Sequence, residues 1–403
     1  MMSTGLQLVM LAVGANALAG CGESRQSRAV VRDSAGVVIV ENAQPDSAAV
    51  TWWQISAAPD LDIGAVEGSE SETLFRVTDT KRLSDGRVVV ANSGAAQVRY
   101  YDSDGKLDTI AGKSGGGPGE FQRITQLIVL PGDSVVVQDP PARRMTLLDA
   151  RGRFVRNFGV DGVLATILGP APAGGWIGTL RYRGEPSMTG GNVRQDLLYA
   201  LVTSDGNAVT DTIGRFAGNE RHIRITQSGG QISSINIFAP PFARSTTVRL
   251  QGDALIVGTQ DAPELRVYGI DGGLRRIIRT GAGQTPITKD HIDRFIERGV
   301  AGLPEDQANS VRQNMATLPS PDFLPSYGTF LIDRSGNLWL QDYPGLQDAQ
   351  RWSIFDPEGS LLARIALPDR FTPYDIGADW IAGKELDELD VEHARVYWLT
   401  RSR

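Results

Sequence analysis

The chain has 403 residues, 41% of them apolar and 22% charged, with 46 glycines and a formal charge of −7 from 40 Lys and Arg against 47 Asp and Glu. Charges of both signs are interspersed and no basic stripe runs along the chain, which argues against a nucleic-acid partner. One cysteine leaves no room for an internal disulfide framework or a cysteine-ligated zinc, and the glycine content favours a turn-rich fold over a helical bundle.

The chain opens with "GLQLVMLAVGANALAGC" at 5–21, which is apolar and carries no charge. It is too short for a comfortable membrane span of about 20 residues, and its small residues fit a secretory signal peptide over 1–20. Its last four residues, Leu18-Ala19-Gly20-Cys21, resemble the bacterial lipobox. That resemblance implies a diacylated Cys21 at the mature N-terminus, with residues 21–29 as a polar tether. Gly22 where inner-membrane retention would need an aspartate implies the outer membrane or periplasm. The segment departs from the pattern in one respect, because no Lys or Arg precedes Arg25.

Beyond the tether, one turn recurs after an apolar strand: "YDSDG" at 101–105, "LDARG" at 148–152, "VTSDG" at 202–206, "YGIDG" at 268–272 and "FDPEG" at 355–359. Around each turn lies the same frame of polar turn, β-branched strand, short loop, second strand, glycine hairpin and third strand. Val88-Val89-Val90 and Val135-Val136-Val137 suit strands buried on both faces. Strands and tight turns repeating at this period predict an all-β fold, a six-bladed β-propeller. Its blades fall near 73–112, 121–160, 163–216, 232–282, 325–368 and 371–401, within a propeller domain over 30–403. The strand in "AGVVIVEN" at 35–42 has no blade of its own, and it is expected to complete the last blade and close the ring.

The frame resembles the NHL and TolB-like propeller superfamily, and more closely the bacterial 6-bladed beta-propeller lipoproteins. The matching stretches are "RDSAGVVIVEN", "LSDGRVVVANSG", "GKSGGGPGEF", "GNLWLQDY" and "DELDVEHARVYWL". The resemblance implies architecture and little chemistry, because propellers host binders, lactonases, lyases and docking platforms alike.

"AGKSGGGPGEF" at 111–121 has the Gly-Lys-Ser of a phosphate-binding loop, but Leu107 stands where the first glycine should be. The Gly-Gly-Gly-Pro-Gly that follows cannot start a helix. The same objection removes the G-x-S-x-G frame around Ser114 as a nucleophile elbow. The loop reads as a joint between blades, with Phe121 anchoring the next one. Later, "TPITKDHIDRFIERGVAGLPEDQANSVRQNMATLP" breaks the strand pattern. Ile292, Phe295 and Ile296 share one helical face, and Val311 and Met315 continue it after Pro304, which predicts a helical insertion over 285–323 between blades four and five.

Two classes of function fit. The first is a non-enzymatic binding module, a monomer with a glycan, peptide or protein ligand; Trp52, Trp53, Trp176 and Tyr182 would serve a binding rim or pack between blades. The second is a metal-dependent enzyme resembling the propeller lactonases or lyases, with its site at the channel mouth. For a Ca²⁺ site the candidates are Asn92, Asp139 and Asp342, aligned with Thr259 after the second strand of their repeats. The same residues also suit strand termination by turn hydrogen bonds. The three histidines, His222, His291 and His393, are far apart in sequence, and "GKELDELDVEH" at 383–393 reads as a solvated acidic hairpin.

Overall fold

The structure is a computed structural model that describes residues 29–44, 50–65, 68, 72–159, 163–180, 190–344 and 349–402. Cys21, the expected signal peptide and most of the expected tether lie outside the described residues. Among those described, the strands form six sheets, each built on an antiparallel meander.

The first sheet consists of Val77–Arg82, Val88–Asn92, Gln97–Tyr101 and Leu107–Ala111, and the second of Gln126–Val129, Val135–Asp139, Arg144–Leu148 and Phe154–Phe158. The third holds Leu164–Pro170, Trp176–Leu180, Gly191–Val202, Val209–Ser228 and Gln231–Phe238. Thr247–Gln251, Ala254–Gly258, Glu264–Gly269 and Leu274–Arg279 make the meander of the fourth; Phe330–Ile332, Leu338–Gln341, Gln350–Phe355 and Leu361–Leu367 make that of the fifth. In the sixth, Phe371–Ile376, Trp380–Leu386 and Glu392–Thr400 are consecutive.

Each second strand is sandwiched between neighbouring sheets, which explains its β-branched run: Val88, Val89, Val90, Val135, Val136 and Val137 are completely buried. Apolar clusters fill the spaces between consecutive sheets. Tyr100 and Val89 meet Phe121 and Leu127 between the first and second, and Met145 and Phe158 meet Ile167 and Trp176 between the second and third. Tyr199 meets Val248, Ile256 meets Phe330, and Ile354 meets Phe371 across the next three interfaces. Finally Trp380 and Val396 of the sixth sheet pack with Val77 and Val90 of the first. The sheets therefore form a closed cycle, the arrangement of a β-propeller.

The repeated turns join third and fourth strands. Their glycines, Gly105, Gly152, Gly206, Gly272 and Gly359, all have φ between +73° and +95°. Each also seats against the preceding layer of the cycle. A Cβ on Gly152 would lie 2.7 Å from the Tyr100 ring, one on Gly359 2.6 Å from Ile278, and one on Gly105 2.9 Å from Leu61. Where an aspartate stands three residues ahead of the glycine, as at Asp102, Asp149 and Asp356, it closes the turn. Asp149 accepts from the amides of Arg151 and Arg153, both at 2.9 Å, and Asp387 accepts from Leu389 and Val391 at 2.8 and 2.9 Å. In the sixth sheet the glycine position is taken by Asp390, at φ +64°.

Closure differs from the sequence expectation. Val37–Glu41 does not complete the last sheet. It lies parallel to Leu274–Arg279 at the outer edge of the fourth, with Val30–Ser34 antiparallel outside it. Asn42 fixes this position, donating to the carbonyls of Arg279 and Gly359 and accepting from the Leu361 amide. Thr51–Trp52 then edges the fifth sheet, and Gln54–Ile55 and Leu61–Ile63 pair antiparallel with Glu392–Thr400 of the sixth. His393 bonds Asp62 at 2.7 Å, and Arg395 pairs with the same carboxylate at 2.9 Å. The closing strand has only three residues, too few to carry a period in sequence. A second difference concerns Gln231–Phe238, expected at the start of the fourth repeat; it is a fifth strand of the third sheet.

Two helices, α1 (Lys289–Val300) and α2 (Glu305–Ala316), lie between the fourth and fifth sheets in sequence. Thr288 and His291 form a reciprocal cap at the start of α1. Phe295 packs on Phe242 with ring centroids 4.9 Å apart, and Ile292 and Ile296 on the same face are half-buried.

Gly152→Ala should destabilise by about 3 kcal/mol, since both the left-handed backbone and the Tyr100 ring oppose the methyl group. Gly132→Ala, at φ +80° with open space around it, should cost about 1 kcal/mol in the same denaturant titration. The backbone amides of Arg153 and Val391 hold the Asp149 and Asp387 carboxyls below their ordinary pKa. Their stabilisation is therefore complete above the unfolded pKa and is lost as pH falls through the folded value. An Asp149→Asn/Asp387→Asn variant should melt below the parent at neutral pH, with the difference shrinking as pH falls from the ordinary carboxylate pKa through the lowered folded one.

Candidate functional site

In each four-stranded meander the first strand begins, the second ends, the third begins and the fourth ends at one face of the cycle. This upper face therefore collects the joints between sheets, the turns after second strands, both helices and the projecting end of Val209–Ser228. The sequence candidates lie here too.

The joint at 111–121 is built around a cation. Arg144, from the third strand of the second sheet, donates to the carbonyls of Gly116, at 2.7 Å, Gly117, at 2.9 Å, and Glu120. A phosphate cradle needs amides turned inward; this loop turns carbonyls inward and fills the space with a guanidinium. Glu120 folds back to accept from the Gly117 amide at 2.7 Å and pairs with Lys113 at 3.4 Å. Phe121 is fully buried in the first interface, under Gly112, as the sequence indicates. Ser114 sits in a bridge to Phe121 rather than at a strand-to-helix turn.

Two of the aligned residues after the second strands, Asn92 and Asp139, clasp the chain as it enters their sheets. Asn92 accepts from the Phe75 amide at 2.8 Å, and Asp139 accepts from Gln122 at 2.7 Å, Arg123 at 3.1 Å and Ala142 at 3.3 Å. In the fourth sheet Gln260, next to Thr259, accepts from the Ser245 amide at 2.6 Å. The Thr259 carbonyl receives Arg194. Asp342 pairs with Arg364, whose guanidinium lies 5.7 Å from the Trp52 ring centre. Among the described residues no three His, Cys, Asp or Glu side chains gather as a metal-holding group. The histidines stay apart: His222 bonds Asn192 at 2.7 Å, His291 caps α1, and His393 belongs to the closing strand. Trp53 packs on Trp339 and Trp176 stacks on Phe158, both buried between sheets. Tyr182 lies outside the described residues.

What sequence reasoning missed is a cleft of about 530 Å³ between α1 and the fifth sheet. Arg294 and Arg298 enter it from consecutive turns of α1, and Tyr343, Gln350 and Arg351 from the end of the fifth sheet's hairpin, with Asp369 at its side. A smaller pocket sharing Arg294, Arg298 and Tyr343 continues it toward Phe242 and Phe295. Asp290 braces Arg294 at 2.6 Å, and Asp369 accepts from the Gln350 amide at 3.0 Å. Burial pushes the Asp342 carboxyl up, against the opposing pull of Arg364 and Arg351. Burial likewise raises the Tyr343 phenol, opposed by Arg298. Guanidinium groups held in fixed directions around a polar cleft suit a carboxylate- or phosphate-bearing ligand. Its lining comes from four separated stretches, so no local motif announces it.

No family model matches the chain, and no curated protein matches it in sequence. Solved structures do. A protein of Bacteroides fragilis described as exported aligns at 10% identity and TM-score 0.49, over 87% of this chain and 99% of that one. A member of the DUF4221 family from Bacteroides vulgatus aligns at 9% and 0.47, over 87% and 99%. A calcium-binding protein, regucalcin, from Agrobacterium tumefaciens aligns at 12% and 0.41, over 87% and 97%. These propeller-like proteins are what the chain is similar to in shape.

Asp139→Ala removes the acceptor of three backbone amides at a buried joint. It should destabilise by about 2–4 kcal/mol in equilibrium unfolding, with no compensating loss of helical signal.

Proposed function

We propose that the chain is a six-bladed propeller, with α1 and α2 inserted between blades four and five, that acts as a ligand-binding module of the cell envelope. In this reading residues 1–20 direct export, Cys21 carries the lipid anchor, residues 21–29 are the tether and the propeller is a monomer. Its ligand is an anionic glycan or peptide received in the cleft beneath α1.

The observation that carries the reading is the lining of that cleft. Arg294, Arg298 and Arg351 line it together with Asp342 and Asp369; Asp290 holds Arg294 in place, and Arg364 holds Asp342. A cavity of several hundred cubic ångströms is of the size that small-ligand sites have. Guanidinium groups directed into such a space can donate in pairs to a carboxylate or phosphate on a ligand.

The competing reading is a calcium-dependent propeller enzyme at the channel mouth, and the same titrations separate the two. Calorimetry with an oligogalacturonate series and with acidic peptides should find one saturable ligand class. Arg298→Ala/Arg351→Ala should weaken it about 10- to 100-fold while the melting temperature stays near the parent's. Saturable calcium binding that weakens in Asp139→Asn or Asp342→Asn, accompanied by lactone hydrolysis, would replace the binding module with the enzyme.

A further inference from the structure

The last two strands of the third sheet, Val209–Ser228 and Gln231–Phe238, form a hairpin that stands out from the upper face. Its two sides differ. On one, Arg224, Asn236 and Phe238 line a cavity of about 400 Å³ closed by Val311, Asn314 and Met315 of α2. Arg224 ties the two elements together through Asn314 at 3.2 Å and Thr317 at 3.0 Å.

The other side is made of isoleucine. Ile237 lies opposite Ile223, and Ile235 opposite Ile225. A register shift between Thr226 and Gln227 brings Ser234 and then Ile232 opposite successive partner residues. The extra residue returns Ile232 to the side of Ile235 and Ile237. These three are 50%, 37% and 63% exposed. The strand that carries them, QISSINIF, is the outer edge of its sheet and has neither the charge nor the proline that usually guards an edge. From Arg221 to Gly252 the chain contains no Asp or Glu, although the protein as a whole is acidic. Arg221, exposed and two residues before Ile223, shares the isoleucine side, whereas Arg224 faces α2.

The course of the N-terminus supplies the direction. Val30 pairs with Glu41, and Glu41 pairs with Arg279 at the upper end of the fourth sheet. The chain before residue 29 thus joins the described structure at the upper face, on the sheet next to the hairpin. The eight residues between Cys21 and Val30 can reach at most about 28 Å.

We propose that the isoleucine side of this hairpin docks into the interfacial layer of a lipid bilayer, with the upper face turned toward the membrane. Apolar side chains enter the headgroup–acyl boundary, while Arg221, in a stretch of chain without acidic residues, meets anionic headgroups. The orientation rests on reading Cys21 as an anchor; the affinity of the isoleucine surface does not, so the two can fail separately.

A chain beginning at Gly22 carries no acyl group and retains every described strand and helix. It should sediment with phosphatidylethanolamine–phosphatidylglycerol vesicles, and raised salt should weaken that binding. Ile232→Ser/Ile235→Ser/Ile237→Ser should lower the partition coefficient about tenfold or more, and Ile237→Ser alone about threefold, with melting temperatures unchanged. Failure of the parent to sediment, or equal partitioning of parent and triple variant, overturns the proposal. So does a dimer in light scattering that the same substitutions disperse without any vesicle binding, because the surface would then join two copies of the chain. Mass spectrometry of the exported full chain decides acylation of Cys21 independently of these results.

Discussion

Face-to-face contact between consecutive sheets is the constraint from which the other features follow. A second strand pressed between two neighbours must be apolar on both sides, hence the triple-valine runs. A hairpin that must pass beneath the previous layer can carry no side chain at its tightest point. The glycines at 105, 152, 206, 272 and 359 satisfy two demands at once, a left-handed backbone and close approach to the layer before. The chain reuses one solution because the same contact recurs around the cycle.

This coincidence explains what was legible in the sequence. The glycine turns recur after an apolar strand even as the intervals between them lengthen, and with the buried valines they disclosed the sheet pattern. Where the packing is relaxed the signal fades. Asp390 replaces the glycine in the sixth sheet, its side chain exposed and paired with Arg370, so self-comparison finds no turn there. Strands added at the rim of a sheet escape the face-to-face packing that marks the second strands. Val37–Glu41 and Leu61–Ile63 therefore carry little in their residues to say which sheet they serve, and the expected closure went to the wrong one. Asn42 decides the matter through three backbone partners contributed by two different sheets, an arrangement with no local pattern.

The candidate site follows the same logic from the other side. Asn92 and Asp139 stood out because they recur, and recurrence marks a structural task common to the sheets. The cleft under α1 occurs once, and its arginines were unremarkable members of a helix pattern. Residues that repeat serve the scaffold here, whereas the feature that individualises the molecule is assembled from segments that do not. In the loop at 111–121, letters shared with a phosphate-binding motif describe an object of opposite polarity, with carbonyl oxygens gathered around Arg144.

The N-terminal segment between Val30 and Ile63 edges the fourth, fifth and sixth sheets in turn before the first sheet begins. A pull on the chain from its N-terminus would reach these attachments one after another, not together. It would first peel the outer hairpin, Val30–Ser34 from Val37–Glu41, opening one hydrogen-bonded pair at a time. The three-residue strand that completes the cycle lies last in line. The rim thus works as a strain relief, in which a tug can undo an edge strand and still leave the ring whole.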